Sequence, residues 1–230
     1  MQPDRHALIV GASRGLGLGL VRTHLERGWR VTATQRSPSV ELEALRREAG
    51  DRLRIETLDI TAAAQLEPLA ARLAGEEYEL LFLNAGIMAG RALPIGAVAE
   101  EDVIGVFMTN AVCPIRVADR LAGLVVRGGT IAFMTSILGS VANNRDGRME
   151  LYRASKAALN SLTRSFAARH AADGFTVLSV HPGVVRTSMG GPQAPLDIET
   201  SVRGIADTLA ARRGSGVHVF VDYQNREIPW

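Results

Sequence analysis

A short apolar run leads directly into a glycine-rich turn in residues 6–17, which read HALIVGASRGLG. The run His6–Val10 has the length and composition of a buried strand, and the turn opens an amphipathic segment that contains Val21–Leu25. Glycines let a backbone turn tightly and approach a pyrophosphate, whose charge is favoured by the free N–H groups at a helix start. The spacing G-x-x-x-G-x-G is one residue longer than the common dinucleotide-binding motif. The stretch therefore predicts a strand, a phosphate-binding turn and a helix.

The same alternation of apolar runs and helical segments continues along all 230 residues. Six further runs are typical of strands: Trp29–Thr34, Leu53–Thr57, Leu80–Leu83, Thr130–Met134, Thr176–Val180 and Val217–Val221. Several are continuously apolar, which suits parallel strands covered by helices on both faces. Because such crossovers are right-handed, we expect an α/β fold with about seven parallel strands. It would form a single Rossmann-type doubly wound domain over residues 1–230.

Composition narrows the class of protein. Hydrophobic residues make up 47% and charged residues 22%, as in soluble globular proteins. The net charge is only +2 and the arginines are spread along the chain, so we expect no nucleic-acid partner. We expect no membrane partner either, since no run approaches the roughly 20 apolar residues of a span and Met1–Ala12 lacks a signal-peptide pattern. The single cysteine, Cys113, favours the cytoplasm, and the five histidines lack metal-ligand spacing, so no metal site is predicted.

The end of the second strand favours NADP(H) over NAD(H). A cofactor without a 2′-phosphate calls for an acidic residue there, but the chain has Gln35-Arg36-Ser37 and no carboxylate until Glu41. Arg36 can meet a 2′-phosphate with its planar fork of donors, and Arg14 in the glycine turn lies near the same place. The missing acid and the two arginines agree on NADP(H).

Tyr152 and Lys156 are four residues apart at the start of a predicted helix, so the phenol and the ammonium can point into one cleft. Of the 26 lysines and arginines, Lys156 is the only lysine, which suggests that a compact ammonium is needed there. Reducing a carbonyl requires a hydride at carbon and a proton at oxygen. A cation within about 4–6 Å lowers the pKa of a phenol from about 10. The pair therefore predicts a general acid/base.

Two further polar residues are candidates for the same site. Ser136 ends the fifth strand, on the carboxyl edge where open α/β sheets bind ligands, and its hydroxyl could hold a substrate oxygen beside Tyr152. Asn110 lies among apolar neighbours in the helical stretch Asp102–Leu121. A buried amide needs a partner, and a water-linked proton path is one use for it.

Taken in order, these features resemble the short-chain dehydrogenase/reductase family over almost the whole chain. The resemblance adds Asn84-Ala85-Gly86 after the fourth strand and the segment 182–187, PGVVRT, after the sixth. It implies a catalytic set of Asn110, Ser136, Tyr152 and Lys156. The cofactor-binding residues, implied or argued above, are Gly11, Ser13, Arg14, Gly15, Leu16, Gly17, Arg36, Asp59, Ile60, Asn84, Ala85, Gly86, Tyr152, Lys156, Pro182, Gly183, Val184 and Thr187.

The resemblance also implies individual roles. Asp59 would contact the adenine, and Asn84–Gly86 would back the adenosine side of the cofactor. Val184 and Thr187 would hold the nicotinamide carboxamide. Asn110 would anchor a relay water that leads away from the catalytic pair.

The chain departs from the family pattern at several positions. Val10 and Leu83 stand where many members have threonine and asparagine, which puts the local hydrogen bonds in question. Ser136 and Tyr152 are 16 positions apart, a few more than usual, because of the polar insert 143–148, NNRDGR.

The segment after Thr187 is short and leaves little material for a lid. With the ending 222–230, DYQNREIPW, the departures are most similar to the C-factor and sniffer-like carbonyl reductase branch. The resemblance implies an NADPH-dependent reductase that acts reversibly on a small carbonyl or alcohol. Two alternatives stay open: a 3-ketoacyl-thioester reductase, and a cofactor-sensing or signalling protein of the same fold.

Family analogy also implies a homodimer or homotetramer, formed through helices around Asp102–Val126 and Tyr152–Ala172. The substrate, the physiological direction and the effect of the insert 143–148 on the pocket or interface do not follow from the sequence.

Overall fold

The computed structural model describes residues 5–230, so residues 1–4 of the predicted domain lie outside it. Within the described range seven parallel strands form one sheet. They are β1 (His6–Val10), β2 (Arg30–Gln35), β3 (Leu53–Thr57), β4 (Tyr78–Leu83), β5 (Val125–Met134), β6 (Thr176–His181) and β7 (His218–Asp222). The order β3-β2-β1-β4-β5-β6-β7 reverses direction between β1 and β4. Such a switch point opens a crevice at the carboxyl ends of the strands.

Helices cover both faces of this sheet. Those found between residues 5 and 230 are α1 (Gly15–Glu26), α2 (Val40–Ala49), α3 (Leu66–Arg72), α4 (Glu100–Phe107), α5 (Cys113–Leu121), α6 (Glu150–Arg169) and α7 (Ile198–Arg212). Buried side chains pack α3, α5 and α6 on one face and α1, α2 and α7 on the other. On β1, Leu8 and Val10 join the first cluster while Ala7 and Ile9 join the second, because successive strand residues point to opposite faces. The predicted doubly wound α/β fold is confirmed.

Helix α6 is held to the sheet by an aromatic contact. Phe133 on β5 and Phe166 on α6 are both fully buried, and their ring centroids lie 5.7 Å apart at 72°. This edge-to-face arrangement is a favoured geometry for aromatic pairs. It fixes the carboxyl half of α6, while the first turn of the helix lies at the carboxyl edge of the sheet.

One strand boundary differs clearly from the prediction. Strand β5 begins at Val125, five residues before the predicted Thr130, so the interface helices expected around Asp102–Val126 do not reach Val126. The predicted end of the helical stretch Asp102–Leu121 at Leu121 is confirmed. The early part of β5 contains Gly128, with φ of 74°, and the pairing register with β4 shifts in this region. Gly128 and Gly129 are of a type that is common in turns, but here they lie within a strand at an irregularity of its pairing.

The predicted continuous helix Asp102–Leu121 is also wrong in one respect. Helices α4 and α5 are separated by a π-helical turn, Met108–Val112, in which Cys113 N–H donates to the carbonyl of Met108. Pro114 has no N–H to donate to the carbonyl four residues earlier, which belongs to Asn110. The α-helical ladder therefore cannot continue through this point, and the wider turn takes its place.

Candidate active site

The carboxyl ends of neighbouring strands bring the predicted site segments to one edge of the sheet. The glycine turn follows β1, Asn84–Gly86 follows β4, Ser136 follows β5 and the segment 182–187 follows β6. Helix α6 begins at Glu150 and brings Tyr152 and Lys156 to the same edge. The arrangement matches the crevice expected at a topological switch point.

The glycine turn packs closely against the end of β4. Gly11 has φ of 86°, and a Cβ atom on it would lie 2.8 Å from the backbone N of Ala85. The Asn84 side chain donates from Nδ2 to the carbonyl of Gly11 at 2.7 Å. On the other side, Gly11 N–H donates to Oγ1 of Thr34 at 3.1 Å. These contacts tie the turn to both neighbouring strands although Val10 carries no polar side chain.

The start of α1 offers free N–H groups beside this turn. Its first turn holds no acidic residue, and the residue before it, Arg14, makes no side-chain capping hydrogen bond. Gly17 is buried, and a Cβ atom there would lie 2.7 Å from Nδ2 of Asn84, whereas Leu16 packs its side chain into the core. A Cβ atom on Gly15 would lie 3.9 Å from Cγ2 of Thr187. The turn therefore faces the segment 182–187 and has the features of an anion site.

Arg14 and Arg36 are both exposed, and neither guanidinium group forms a hydrogen bond or an ion pair with residues 5–230. The loops that carry them are joined by Ser39, whose hydroxyl donates to the carbonyl of Ser13 at 2.6 Å. Ser39 also caps α2 by accepting from Leu42 N–H at 3.2 Å. Two unpaired guanidinium groups are thus presented beside the glycine turn, an arrangement that suits a phosphate.

Asp59 lies two residues beyond β3, next to the Arg36 loop. Its carboxylate accepts from the N–H and the hydroxyl of Thr61 at 2.9 and 2.7 Å. These hydrogen bonds, together with the charge of Arg36, hold the pKa of Asp59 below its usual range. Ile60 turns its side chain into the core cluster on the α3 face, so only its backbone is available to a ligand.

The segment after β6 is fixed by hydrogen bonds from α7 and from the chain around Leu196. The hydroxyl of Ser201 on α7 donates to the carbonyl of Pro182 at 2.6 Å, and Gly183 adopts φ of 83°. Val184 is exposed, while its carbonyl accepts from Leu196 N–H at 3.1 Å. The hydroxyl of Thr187 accepts from the N–H of Gly190 at 3.0 Å. The short chain after Thr187 therefore folds directly back onto 184–186.

Tyr152, Lys156 and Ser136 lie close together in a largely buried setting. The Lys156 ammonium donates to the carbonyl of Met134 at 2.9 Å and lies 5.8 Å from the centre of the Tyr152 ring. A Cβ atom on Gly86 would be 3.5 Å from the same ammonium. The Ser136 hydroxyl accepts from Leu138 N–H at 3.1 Å, so its own proton remains available.

Burial governs the ionisation of this pair. It raises the pKa of Tyr152 to about 12 and lowers the pKa of Lys156 to about 8. The expectation that Lys156 would lower the pKa of the phenol is therefore not met in the protein alone. Desolvation penalises the phenolate, and the ammonium is directed to the Met134 carbonyl.

The side chain of Asn110 is fully used within the protein. Its Oδ1 accepts from Ile87 N–H at 2.8 Å, and its Nδ2 donates to the Ile87 carbonyl at 2.8 Å and to Oγ of Ser155 at 3.1 Å. The amide thus fixes the backbone directly after Asn84–Gly86. The expectation that a buried amide needs a partner is met by two residues that the sequence did not single out.

The sequence analysis did not identify the residues whose side chains hydrogen-bond to the site segments and fix their positions. Thr34, Ser39, Ser155 and Ser201 each bond to a segment far away in the sequence. Only Ser39 had a local signal, since a serine three residues before a helical leucine is typical of a helix cap. The others depend on strand order and helix packing, which a local motif does not reveal.

The described residues contain neither a grouped set of metal ligands nor a membrane-spanning helix. Among residues 5–230, no three histidine, cysteine, aspartate or glutamate side chains are grouped so as to hold a metal ion. In the same range, no helix combines the length and the apolar character needed to cross a membrane.

Known proteins resemble this chain in sequence and in structure. A structure from Burkholderia multivorans, a short-chain dehydrogenase/reductase with bound NADP, is 47% identical with a TM-score of 0.97, covering 99% of this chain and all (100%) of that one. Carbonyl reductase Sniffer of D. melanogaster is 32% identical with a TM-score of 0.89, covering 99% and 100%. The C-signal protein of Myxococcus xanthus is 38% identical over 154 residues, 66% of this chain and 92% of that protein.

The predicted resemblance, including its carbonyl-reductase branch, is confirmed by these likenesses. The model of the family described as short chain dehydrogenase matches residues 5–195, most of the chain. The chain belongs to the short-chain dehydrogenase family.

Proposed function

We propose that this protein is an NADPH-dependent reductase of small carbonyl compounds, with Tyr152 as its general acid. The observation that carries the proposal is the Tyr152 hydroxyl, which forms no hydrogen bond with residues 5–230 although the residue is 7% exposed. It lies at the carboxyl edge together with Lys156 and Ser136. A buried polar group without a protein partner is available to a ligand.

The cofactor groove has the features that NADP(H) requires. Gly11 lets the glycine turn pack against the backbone of Ala85. The start of α1 offers free N–H groups for the pyrophosphate. The guanidinium groups of Arg14 and Arg36 have no protein partner among residues 5–230 and are available to the 2′-phosphate. Val184 and Thr187 would meet the nicotinamide carboxamide. The NADP bound in the Burkholderia multivorans structure supports the same choice.

The residues of this chain divide the proton chemistry between them. Bound NADPH supplies the hydride. The Ser136 hydroxyl donates a hydrogen bond to the substrate carbonyl oxygen and orients it, and Tyr152 donates its proton to that oxygen as charge develops. The raised pKa of Tyr152 keeps it protonated near neutral pH, which is the form that reduction needs. Lys156 would hold the ribose hydroxyls of the bound cofactor through the donors that the Met134 carbonyl leaves free, and its charge would favour the phenolate left by the transfer.

Asn110 would serve the proton path through its backbone. Its side-chain amide is occupied by Ile87 and Ser155. Its carbonyl receives no α-helical hydrogen bond from Pro114, which has no N–H. A relay water would therefore bind at the carbonyl.

The proposal is tested by following NADPH oxidation with aldehydes, ketones, a quinone and a 3-ketoacyl thioester. Tyr152→Phe should lower kcat by about 10²–10⁴-fold, the usual worth of a general acid, with the Kd for NADPH unchanged. NADH should be the poorer cofactor. Full activity of the phenylalanine variant would contradict the role of Tyr152.

Different observations bear on the two alternatives, the thioester reductase and the signalling protein. A 3-ketoacyl-thioester reductase would need room for a long acyl carrier, and the chain after Thr187 folds back at once through Leu196. A signalling protein is favoured by the likeness to C-signal. Tight NADPH binding without turnover on any member of the panel would favour that reading.

The assembly of the protein is proposed from family analogy, and its location from the single cysteine of the chain. We propose a single domain over residues 1–230 that forms a homodimer or homotetramer in the cytoplasm. Sedimentation of the purified chain would measure the assembly directly.

A further inference from the structure

The residue after Tyr152 is a buried arginine that the reaction does not use. Arg153 is 8% exposed, and its Nε donates to the carbonyl of Arg148 at 2.7 Å. Its Nη2 donates to Oδ1 of Asp146 at 2.7 Å. Burying a guanidinium is costly unless it is paired and hydrogen-bonded, so these contacts are what allow the side chain to sit there.

Both partners belong to the insert 143–148, which is folded into a compact turn. Asp146 Oδ2 accepts from Nε and Nη2 of Arg148 at 3.0 and 2.8 Å, and Oδ1 accepts from Arg148 N–H at 3.2 Å. Gly147, with φ of 65°, donates its N–H to Oδ1 of Asn144 at 3.2 Å. The insert is thus a closed unit, and Arg153 joins it to α6.

The start of α6 lacks the usual means of holding a first turn. Its cap residue, Met149, makes no side-chain hydrogen bond and has φ of 58°. A residue other than glycine keeps a left-handed conformation only where its surroundings hold it. Arg153 supplies that hold, because it binds the carbonyl of Arg148, directly before Met149.

The same turn carries Tyr152, the third residue of α6. Glu150, its first residue, accepts from the N–H of Ile95 at 3.1 Å and so joins the turn to the loop after β4. This is one exposed contact, whereas both contacts of Arg153 are partly buried: the arginine side chain is 10% exposed and that of Asp146 is 42% exposed. The position of the phenol therefore depends on the link between Arg153 and the insert.

We propose that Arg153 is a positioning residue for the reaction, holding residues 146–148 against the first turn of α6 so that Tyr152 points at the substrate carbonyl. The inference rests on the reductase function proposed above. An arginine suits this position because Nε and Nη2 of its planar fork hold two acceptors in a fixed geometry, whereas a lysine ammonium is a point charge on a flexible stem. The insert that lengthens the spacing between Ser136 and Tyr152 thereby becomes part of the catalytic framework.

The test compares Arg153→Gln with the matched variant Arg145→Gln. Arg145 belongs to the same insert and is exposed, and its side chain makes no hydrogen bond or ion pair with residues 5–230, so its removal should change little. We expect Arg153→Gln to lower kcat by about tenfold or more while the Kd for NADPH changes less than twofold, since a misplaced general acid affects the chemical step. Arg145→Gln should stay within twofold in both.

A kinetic isotope effect separates positioning from loss of structure. With NADPH deuterated at the transferred hydride, Arg153→Gln should raise the isotope effect on kcat above the wild-type value, because hydride transfer becomes more rate-limiting. Arg153→Lys should recover only part of kcat. If Arg153→Gln does not fold, Asp146→Asn, which keeps an acceptor but removes the charge, should give a smaller change in the same direction.

The outcomes distinguish the positioning role of Arg153 from the reductase function on which it rests. If the wild-type protein reduces no carbonyl, the reductase assignment fails and the role of Arg153 fails with it. If the wild-type protein is active but Arg153→Gln matches Arg145→Gln in kcat and isotope effect, only the positioning role is overturned. An equal loss of kcat and NADPH affinity in Arg153→Gln would also overturn it.

Discussion

Lys156 and Tyr152 carry their ionisable groups in surroundings from which water is largely excluded, and burial moves the two pKa values in opposite directions. The phenol, with a pKa of about 12, stays protonated, and the ammonium, with a pKa of about 8, is held less firmly than a surface lysine. Each group is therefore biased toward its neutral form. At neutral pH the pair still consists of a phenol that can donate and an ammonium that is mostly charged.

A pH dependence follows for carbonyl reduction. Because the pKa of Lys156 is lowered to about 8, its charged form is fully present below that value and is lost as the pH rises through it. We expect kcat/KM to be level in neutral buffer and to decline above pH 8. The control is Lys156→Arg, in which the cation persists across the range and the decline should disappear even if the overall rate is lower. A decline that survives in the arginine variant would contradict the assignment.

The π-helical turn between α4 and α5 shows an element whose shape is set by one residue. Pro114 interrupts the ladder, and Asn110, in the middle of the wider turn, directs its amide to the backbone of Ile87. The turn therefore joins the helix layer to the cofactor groove through a single side chain. Turns of this kind often occur at functional sites, which agrees with the role proposed for Asn110.

Replacing Pro114 with alanine should straighten this element. The new N–H would allow an α-helical bond to the Asn110 carbonyl, so the free energy of unfolding should change by no more than about 1 kcal/mol. We expect kcat to fall, because the carbonyl proposed to hold the relay water becomes occupied. Thermal unfolding and initial rates on the same preparation measure both effects. Unchanged activity with a regular helix in the crystal structure would remove the backbone of Asn110 from the proton path.

Element by element, the sequence predicted what local pattern controls. Strand β1, the glycine turn and the start of α1 were all predicted from one short stretch, because apolar runs and glycine spacing act locally. The early start of β5 was missed, since the effect of Gly128 depends on pairing with a neighbouring strand. The π-turn was missed although Pro114 carries a local signal, its absent N–H. The contacts of Ser201 and Asn110 were also missed, because each joins segments that only the sheet order brings together.

The candidate cofactor groove spans the whole molecule. It is assembled from turns after β1, β2, β4 and β6, which lie on both sides of the switch point. A ligand that touches all of them adds a further link between turns that a few side-chain hydrogen bonds already join, such as those from Asn84 to Gly11 and from Ser39 to Ser13. Binding to the folded state alone stabilises that state by mass action.

NADPH should therefore raise the Tm more than NADH does at the same concentration. At about 100 times Kd the stabilisation is about 2.7 kcal/mol, which corresponds to roughly 5–10 °C for a chain of this size. Arg36→Asp should reduce the NADPH shift to the size of the NADH shift. The control is Arg47→Asp on α2, an exposed arginine farther along the chain, which should keep the difference. Equal losses for both cofactors in Arg36→Asp would contradict the 2′-phosphate contact.

The buried position of Lys156 has a practical consequence for spectroscopy. Because the chain contains one lysine, reductive methylation with ¹³C-formaldehyde introduces a single side-chain probe, and the probe lies beside Tyr152. Its chemical shift would report the charge of the ammonium without mutation or isotope labelling of the backbone. The labelling rate would report how often the cleft opens, and cofactor protection against labelling would give a binding isotherm from one resonance. The single lysine of the chain thus makes the candidate site directly observable by NMR.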